Sequence, residues 1–151
     1  MLHLLFRLGQ EHYALPALEI EAVVPMPDLQ PLPLAPPQVA GLLRYQGQFV
    51  PVIDIGVMQL GQPARHVIST RLILVRRGQG EATERLALVV EQALDMLPLY
   101  RPQTLPTDVL GEQADWLSPV VYETDVGLVR AVHWQTLLTP ALLALASADA
   151  A

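Results

Sequence analysis

Histidine, serine and paired carboxylates are the side chains of this sequence that could take part in catalysis or bind a metal. The four histidines are far apart, and no two of them stand at the spacing of a helical or zinc-finger ligand pair. The sequence therefore predicts no metal site. His3 and His12 lie on the two arms of a predicted hairpin, where we expect them on the face that meets solvent. The other two histidines are His66 and His133.

Nucleophilic side chains are equally scarce. The chain has three serines, and none stands in the Gly-x-Ser-x-Gly sequence that presents a hydrolase nucleophile. A catalytic triad is defined by geometry rather than by sequence order, so a hydrolase that uses Ser69 or Ser118 with a distant histidine stays an open alternative. Lysine and cysteine are absent, which excludes Schiff-base, phosphate-loop lysine and thiolate chemistry. We therefore expect a protein that is not an enzyme and binds no cofactor.

Two pairs of carboxylates stand close enough in sequence to be considered as a general acid and base. They are Glu19 with Glu21 and Asp108 with Glu112. An acidic chain contains such pairs by composition alone, and we interpret both as solvated surface positions. The segment Gly78-Gln79-Gly80 has no third glycine and no helix after it, so it does not predict a nucleotide-binding loop.

Charge and composition narrow the range of partners. The net charge is −6, and all nine basic residues are arginines scattered along the chain. Nucleic-acid binding needs clustered positive charge, so we expect no nucleic-acid partner. Hydrophobic residues make up 52% of the chain and charged residues 16%, with a mean hydropathy of +0.34. This balance excludes a disordered chain and indicates that partners cover part of the apolar surface.

The length of the chain and its apolar runs bear on its organisation and location. A length of 151 residues is typical of one domain with its own core. No apolar run approaches the roughly 20 residues of a membrane span, and the N-terminus shows no export signal. We therefore expect a single domain over residues 1–151, located in the cytoplasm without direct insertion into the membrane.

Short apolar runs separated by turn residues predict many strands and few helices. Asp54 is placed to cap a short helical piece that ends at Gly61, and Thr139 with Pro140 begins a helix near the C-terminus. Regularly spaced short strands with a terminal helix are typical of small antiparallel barrels. The predicted strands cover residues 2–8, 12–16, 22–26, 39–45, 48–53, 70–76, 85–90, 117–122 and 126–132, with a short turn before residue 22 and helical segments at 133–138 and 141–146.

Residues 25–37 hold six of the 14 prolines. Proline cannot donate a hydrogen bond to a sheet, so this stretch predicts a stiff, extended connection. It could also be read as a polyproline ligand for a partner. We favour the connection, because the leucines between the prolines can serve as anchors in the core.

The order of several short motifs resembles the CheW-like domain, which occurs in chemotaxis coupling proteins and in the kinases that they regulate. The most specific of them is Gly-x-x-Val-Pro-Val-Ile-Asp, at a suitable distance after Val-x-Gly-Leu. The resemblance runs from about residue 4 to about residue 145. The motifs are Phe6-x-Leu8-Gly9-x-Glu11-x-Tyr13-x-Leu15, Pro33-x-Ala35-Pro36, Val39-x-Gly41-Leu42, Gly47-x-x-Val50-Pro51-Val52-Ile53-Asp54 and Leu88-Val89-Val90-Glu91.

This resemblance implies a mainly β fold of two small SH3-like, five-stranded antiparallel barrels. The barrels would share a hydrophobic seam, with short helices that include one at the C-terminus. We expect them to divide the chain near residue 65, and strands can be exchanged between them. Hairpins on either side of that residue agree with two similar halves.

The resemblance also implies a function. CheW-like adaptors have no catalytic activity; they link the cytoplasmic tip of a chemoreceptor to the CheW-like regulatory domain of a CheA-type histidine kinase, and so join receptor arrays at the membrane through their partners. The receptor tip is a helical hairpin that docks in a groove, which requires exposed apolar side chains. By position, the groove of this chain would involve Ala17, Ile20, Ala22, Gln46, Gly47, Arg71 and Met96.

Two positions depart from the family pattern. The turn that usually reads Arg-Gly is Gln46-Gly47, and Ala22 stands where a well-studied branch of the family has an acid. Partner choice often depends on matched charges. We therefore expect an adaptor of a dedicated chemosensory pathway, such as surface sensing or pilus motility. The alternative is a small structural or ligand-binding β-barrel without a signalling role.

Overall fold

The structure is a computed structural model that describes residues 1–106 and 115–146. Within these ranges the chain forms eleven strands, two short α-helices and three 3₁₀ turns. The strands are β1 Leu2–Leu8, β2 Glu11–Pro16, β3 Ile20–Pro25, β4 Val39–Tyr45, β5 Gln48–Asp54, β6 Arg71–Arg77, β7 Glu84–Val90, β8 Gln92–Pro98, β9 Pro102–Thr104, β10 Leu117–Thr124 and β11 Gly127–Val132; the helices are α1 Ile55–Leu60 and α2 Pro140–Ala146; the 3₁₀ turns are Ala17–Glu19, Gly80–Ala82 and Trp134–Leu137.

The strands form two sheets. Sheet A has the strand order β8-β1-β2-β11-β10-β9, and sheet B has the order β3-β6-β7-β5-β4. Neighbouring strands are antiparallel except for β11 with β2 in sheet A and β5 with β7 in sheet B. The chain therefore leaves sheet A after β2, completes sheet B with β3–β7, and returns to sheet A at β8.

The turn between β4 and β5 follows directly from local sequence. Gln46 has φ 51° and Gly47 has φ 76°, and the flanking residues Tyr45 and Gln48 pair with each other. Positive φ at both central residues is the geometry of a type I′ turn, whose twist matches that of a two-stranded hairpin. The predicted Gln46-Gly47 hairpin turn is thus present.

One large hydrophobic core joins the two sheets. It contains Phe6, Leu8 and Tyr13 of sheet A together with the central strands β6 and β7 of sheet B. A smaller cluster on the opposite face of sheet A contains Leu5, Ala14, Leu99 and Val129. Because β1 is buried on both of its faces, its sequence is an almost continuous apolar run rather than an alternating one.

The prediction of a mainly β protein with short helices, one of them near the C-terminus, is confirmed. Two details differ from a pair of five-stranded antiparallel barrels. Sheet A has six strands, and each sheet contains one parallel pair. The sequence reading also missed β8 and β9, because proline and polar residues interrupt their apolar pattern.

The sheets do not divide the chain near residue 65, where the sequence suggested a boundary. Residue 65 lies in the loop between α1 and β6, and β5 and β7 pair across it. The hairpins on its two sides are therefore parts of one sheet. The chain passes from sheet A to sheet B at the 3₁₀ turn Ala17–Glu19 and returns to sheet A at Glu91.

Capping side chains begin both helices as predicted. The carboxylate of Asp54 accepts a hydrogen bond from the backbone N–H of Gly56 at 2.9 Å, and α1 ends at Gly61 with φ 74°. The hydroxyl of Thr139 accepts from the N–H of Leu142 at 3.3 Å at the start of α2. Neither helix is long and apolar enough to cross a membrane, and these are the only helices in the described parts of the chain.

The proline-rich connection leads from β3 to β4. Gln30 and Leu42 exchange two backbone hydrogen bonds, of 2.8 and 2.9 Å, which hold the connection along β4. Leu29 packs against the core as predicted for the leucines between the prolines, but Leu34 is fully exposed at a positive φ. Backbone pairing to β4 thus fixes this segment more than its leucines do.

Candidate protein-binding site

The edge strand β3 carries Ile20 and Ala22, two of the seven residues predicted for the receptor surface. It pairs with β6 along one side only, so its other side has no partner strand within the described residues. Apolar side chains lie exposed beside it, since Leu18 in the preceding 3₁₀ turn is 80% exposed and Val23 is 38% exposed. An unpaired strand edge with exposed apolar side chains is a surface that can accept another chain.

A β-bulge at Glu21 interrupts the pairing of β3 with β6. Ile20 pairs with Val75 and Ala22 pairs with Leu74, so Glu21 is an extra residue without an opposite partner. A bulge increases the local twist of a strand and turns a side chain in a new direction. Here it directs the Glu21 carboxylate across the sheet.

The Glu21 carboxylate meets two side chains from other strands of sheet B. Nε of Arg85, on β7, donates to both carboxylate oxygens at 3.0 Å, and the hydroxyl of Tyr45, on β4, donates to the same carboxylate. The Arg85 guanidinium also lies over the Tyr45 ring, 5.6 Å from its centroid. We call Glu21, Tyr45 and Arg85 the β3 latch. Because β3 and β4 are the two edges of sheet B, the sheet curls so that side chains of its edges meet.

The electrostatics of the β3 latch favour an ionised Glu21. Burial acts to raise the pKa of Glu21, but the hydrogen bonds from Tyr45 and Arg85, with the charges of Arg85 and Arg76, lower it below its ordinary value. The pKa of Tyr45 is raised, chiefly because its hydroxyl donates to this carboxylate. Arg76 also donates to the carbonyl oxygen of Ile20 at 3.2 Å, which supports the bulge from β6.

The structure brings together four of the predicted groove residues. Ile20 and Ala22 flank Glu21 on β3, and Gln46 and Gly47 follow Tyr45 in the exposed β4–β5 turn. The contact between Glu21 and Tyr45 therefore places these two segments side by side. Ala17 joins them as the first residue of the 3₁₀ turn that leads into β3. Ile20 and Ala22 also pack against the main core, so they are only partly exposed.

Arg71 and Met96 lie apart from that group. Arg71 pairs with Pro25 at the opposite end of β3, and its guanidinium donates to the carbonyl oxygens of Ile68 and Thr70 at 2.7 and 2.9 Å. Met96 is in sheet A, on the edge strand β8, where it pairs with Leu4 and is 44% exposed. These two residues are therefore not part of one compact cluster with the β4–β5 turn.

A second set of contacts holds the turn that precedes β3. The Glu19 carboxylate accepts from Nε1 of Trp134 at 2.8 Å and from Nε2 of Gln135 at 3.1 Å. Trp134 is completely buried. The C-terminal part of the chain thus fixes the point at which β2 of sheet A passes into β3 of sheet B.

Glu91 holds the second crossing between the sheets. One carboxylate oxygen accepts from the backbone N–H of Gly9 in the β1–β2 turn, and the other accepts from Nε of Arg65 at 3.3 Å. The hydrogen bond from Gly9 is the main cause that lowers the pKa of Glu91; burial opposes it and Arg65 adds to it. The carboxylate is buried at the place where the chain returns from β7 to sheet A.

Several expectations about isolated side chains are corrected. His3 is buried rather than solvated, because its ring packs at 5.2 Å from the ring of Tyr122 and its Nδ1 lies 3.1 Å from the Met1 carbonyl oxygen. Glu19 and Glu21 are not solvated positions but hydrogen-bonded anchors. The pair Asp108 and Glu112 lies outside the described residues.

Ser118 is one of the two serines that the sequence left open as a nucleophile. Ser118, His3 and His133 line one open cavity of about 310 Å³. The Ser118 hydroxyl accepts from the N–H of Val120 at 3.1 Å, and within residues 1–106 and 115–146 no hydrogen bond joins it to either histidine ring. Ser69 lies in the loop before β6. In the same ranges no group of three or more potential metal ligands is present.

Sequence reasoning missed the β3 latch and the Glu19–Trp134 contact. Each requires residues that are far apart in the chain, 64 positions for Glu21 with Arg85 and 115 for Glu19 with Trp134. One signal was present, since Glu21 is a charged residue in the otherwise apolar strand β3. A charged residue in such a strand indicates a partner elsewhere in the fold.

Comparison with known proteins identifies the family. A model described as the CheW-like domain matches residues 2–139. A stretch of 50 residues is 30% identical to "Chemotaxis protein CheW" of Treponema pallidum (strain Nichols), and it spans 33% of this chain but only 29% of that protein. The fold is similar to the crystal structure of the scaffolding protein TtCheW from Thermoanaerobacter tengcongensis, with a TM-score of 0.70 and 20% identity over 88% of this chain and 90% of that chain. The family match includes every strand of both sheets, and the chain therefore belongs to the CheW-like domain family.

Proposed function

We propose that this protein is a non-catalytic adaptor that links the cytoplasmic tip of a chemoreceptor to the CheW-like regulatory domain of a CheA-type histidine kinase. The observation that carries this proposal is the family match over residues 2–139, which spans both sheets. An adaptor of this kind needs two docking surfaces on one rigid body rather than a catalytic cavity. The shared core of sheets A and B supplies that rigid body.

The β3 edge is the surface that we assign to the receptor. Leu18 and Val23 expose apolar area there, and Gln46 with Gly47 presents a polar turn beside it. A receptor tip made of two helices can bury its apolar side chains on such a mixed surface. Arg71 and Met96, which the family resemblance also implicates, would be contacted only by a partner that extends beyond this edge.

A binding experiment with two separate partners tests the adaptor role. Isothermal titration calorimetry of the full chain against a receptor cytoplasmic-tip fragment and against a kinase CheW-like domain should give one site for each. A gel-filtration complex of all three proteins should follow. Val23→Asp should weaken receptor binding without loss of kinase binding, because a charge in an apolar interface is costly to desolvate. If the chain binds neither protein, the alternative of a structural or ligand-binding β-barrel replaces the adaptor.

The absence of catalysis can be tested directly. A fluorophosphonate probe, which labels activated serines, should not modify the chain. Labelling that Ser118→Ala abolishes would overturn the non-catalytic assignment, because it would require a base in the cavity that Ser118 shares with His3 and His133.

The receptor surface supports a dedicated pathway. Ala22 and Gln46 are uncharged at positions where the family often has an acid and a base. A receptor whose charges match that acid and base would therefore gain no affinity from these two positions. We infer a partner receptor from a surface-sensing or pilus-type system. Pull-downs with receptors and kinases of the flagellar and the dedicated systems should favour the dedicated set. Equal or stronger assembly with the flagellar set would refute this assignment.

A further inference from the structure

The bulged edge of β3 is held in place by side chains from three other strands. Arg85 comes from β7, Tyr45 from β4, and Arg76 from β6. The Glu21 and Arg85 side chains are 15% and 19% exposed, so their ion pair is largely protected from water. A protected, charge-assisted pair is more directional than an exposed one, and it fixes the positions of both strands.

We propose that the β3 latch positions the receptor-binding surface, by fixing the bulged segment of β3 against the β4–β5 turn. This inference rests on the adaptor function proposed above. Glu21 and Tyr45 would not contact the receptor themselves; they act through Ile20, Ala22, Gln46 and Gly47, which follow or flank them in the chain.

Two features show why the surface needs such a device. Among the described residues, no neighbouring strand donates hydrogen bonds to the unpaired side of β3 or accepts them from it, and the bulge removes a regular pair with β6 at Glu21. The β4–β5 turn has a non-glycine residue, Gln46, at positive φ, and its hairpin closes with the pair Tyr45 and Gln48. Loss of the β3 latch would remove the hydrogen bond by which Glu21 and Tyr45 join the two segments. Ordering them on binding would then cost conformational entropy.

The matched control is a second ion pair in the same sheet. Nε of Arg77 donates to Glu84 at 2.8 Å, between the residues directly next to Arg76 and Arg85 on β6 and β7. This pair joins two strands that are already hydrogen-bonded to each other. Its loss should therefore leave β3 and the β4–β5 turn unmoved.

The test compares Glu21→Gln and Tyr45→Phe with Glu84→Gln. Affinity for the receptor-tip fragment and for the kinase CheW-like domain is measured by calorimetry, at a temperature at which circular dichroism shows all variants folded. We expect Glu21→Gln to weaken receptor binding about fivefold or more, the usual lower range of coupling between sites. Kinase binding should stay within about twofold, and Glu84→Gln should change neither affinity.

Two further measurements separate positioning from simple stability. The backbone amide signals of Gln46 and Gly47 in NMR spectra should shift in Glu21→Gln but not in Glu84→Gln. The double variant Glu21→Gln with Tyr45→Phe should bind the receptor-tip fragment no more weakly than the weaker-binding single variant, because both substitutions remove the same hydrogen bond.

The outcomes distinguish the two proposals. Unchanged receptor affinity in Glu21→Gln, or equal losses in Glu21→Gln and Glu84→Gln, would overturn the positioning role while the adaptor function stands. Equal loss of receptor and kinase binding in Glu21→Gln would also overturn it, because it would indicate general damage to the fold. If the wild-type chain binds neither partner, the adaptor function itself fails.

Discussion

Removal of the Asp54 carboxylate should destabilise the domain by about 2–4 kcal/mol. Its oxygens accept from the N–H of Gly56 at 2.9 Å, at the start of α1, and from the N–H of Ala64 at 3.2 Å, in the loop beyond α1. Loss of the helix cap contributes about 1 kcal/mol. The buried N–H of Ala64, left without a partner, contributes roughly 1–3 kcal/mol more.

A graded series of substitutions separates these two contributions. Asp54→Ser can still cap the helix, but its shorter side chain cannot reach the N–H of Ala64. Its free energy of unfolding should therefore be lower by about 1–3 kcal/mol. Asp54→Asn keeps the oxygen that accepts from both N–H groups, so it should lower the free energy of unfolding less than Asp54→Ala does. The control is Asp28→Ala at an exposed position, where a change within about 0.5 kcal/mol is expected.

Urea unfolding, followed by the fluorescence of the buried Trp116 and Trp134, measures the free energy of unfolding. The order of stability should be wild type, then Asn, then Ser, then Ala at position 54, with an unchanged slope against urea. A thermal midpoint lower by about 2–4 °C for each kcal/mol should accompany it. A loss below about 1 kcal/mol for Asp54→Ala would refute the reasoning, since the cap alone should account for that much.

Three further predictions concern contacts that hold the sheets together. Trp134→Phe should lower the free energy of unfolding by about 1–3 kcal/mol in urea titrations, because it removes the indole N–H that binds Glu19. Gly41→Ala should be more destabilising than Gly47→Ala in the same assay, because a Cβ would lie 2.7 Å from a backbone oxygen at residue 41 and in open space at residue 47. Stability should fall as pH drops below about 4.3, the ordinary glutamate pKa, because the folded pKa of Glu91 is lower and protonation then favours the unfolded chain. Glu91→Gln should be less stable than wild type at neutral pH, and its acid-induced loss should be smaller.

The strands that depend on local pattern could be predicted from the sequence. The runs that became β6 and β7 are strand-sized, rich in Leu, Ile and Val, and separated by a polar glycine loop, so their burial and pairing follow from hydrophobicity and turn chemistry. The caps at Asp54 and Thr139 follow from the same local rules. The resemblance to the CheW-like domain was readable for this reason, since its motifs are local strand and turn segments.

The strands β8 and β9 could not be predicted in this way. Their side chains are mostly exposed, and prolines stand at Pro98 and Pro102. β8 is a strand because β1, at the N-terminal end of the chain, supplies its hydrogen-bond partners. Such pairing depends on the closed fold and leaves little trace in local composition.

The same distinction between local and tertiary features applies to the candidate site. The sequence alone determined the Gln46-Gly47 turn, the neutral residue at Ala22 and the exclusion of lysine and cysteine chemistry, because residue type and turn conformation are local properties. Only the tertiary structure decided that Glu21 is a bulge residue whose carboxylate meets Arg85 and Tyr45 from two other strands. The physical reason is that an ion pair between residues 64 positions apart exists only after both strands have been placed in one curved sheet.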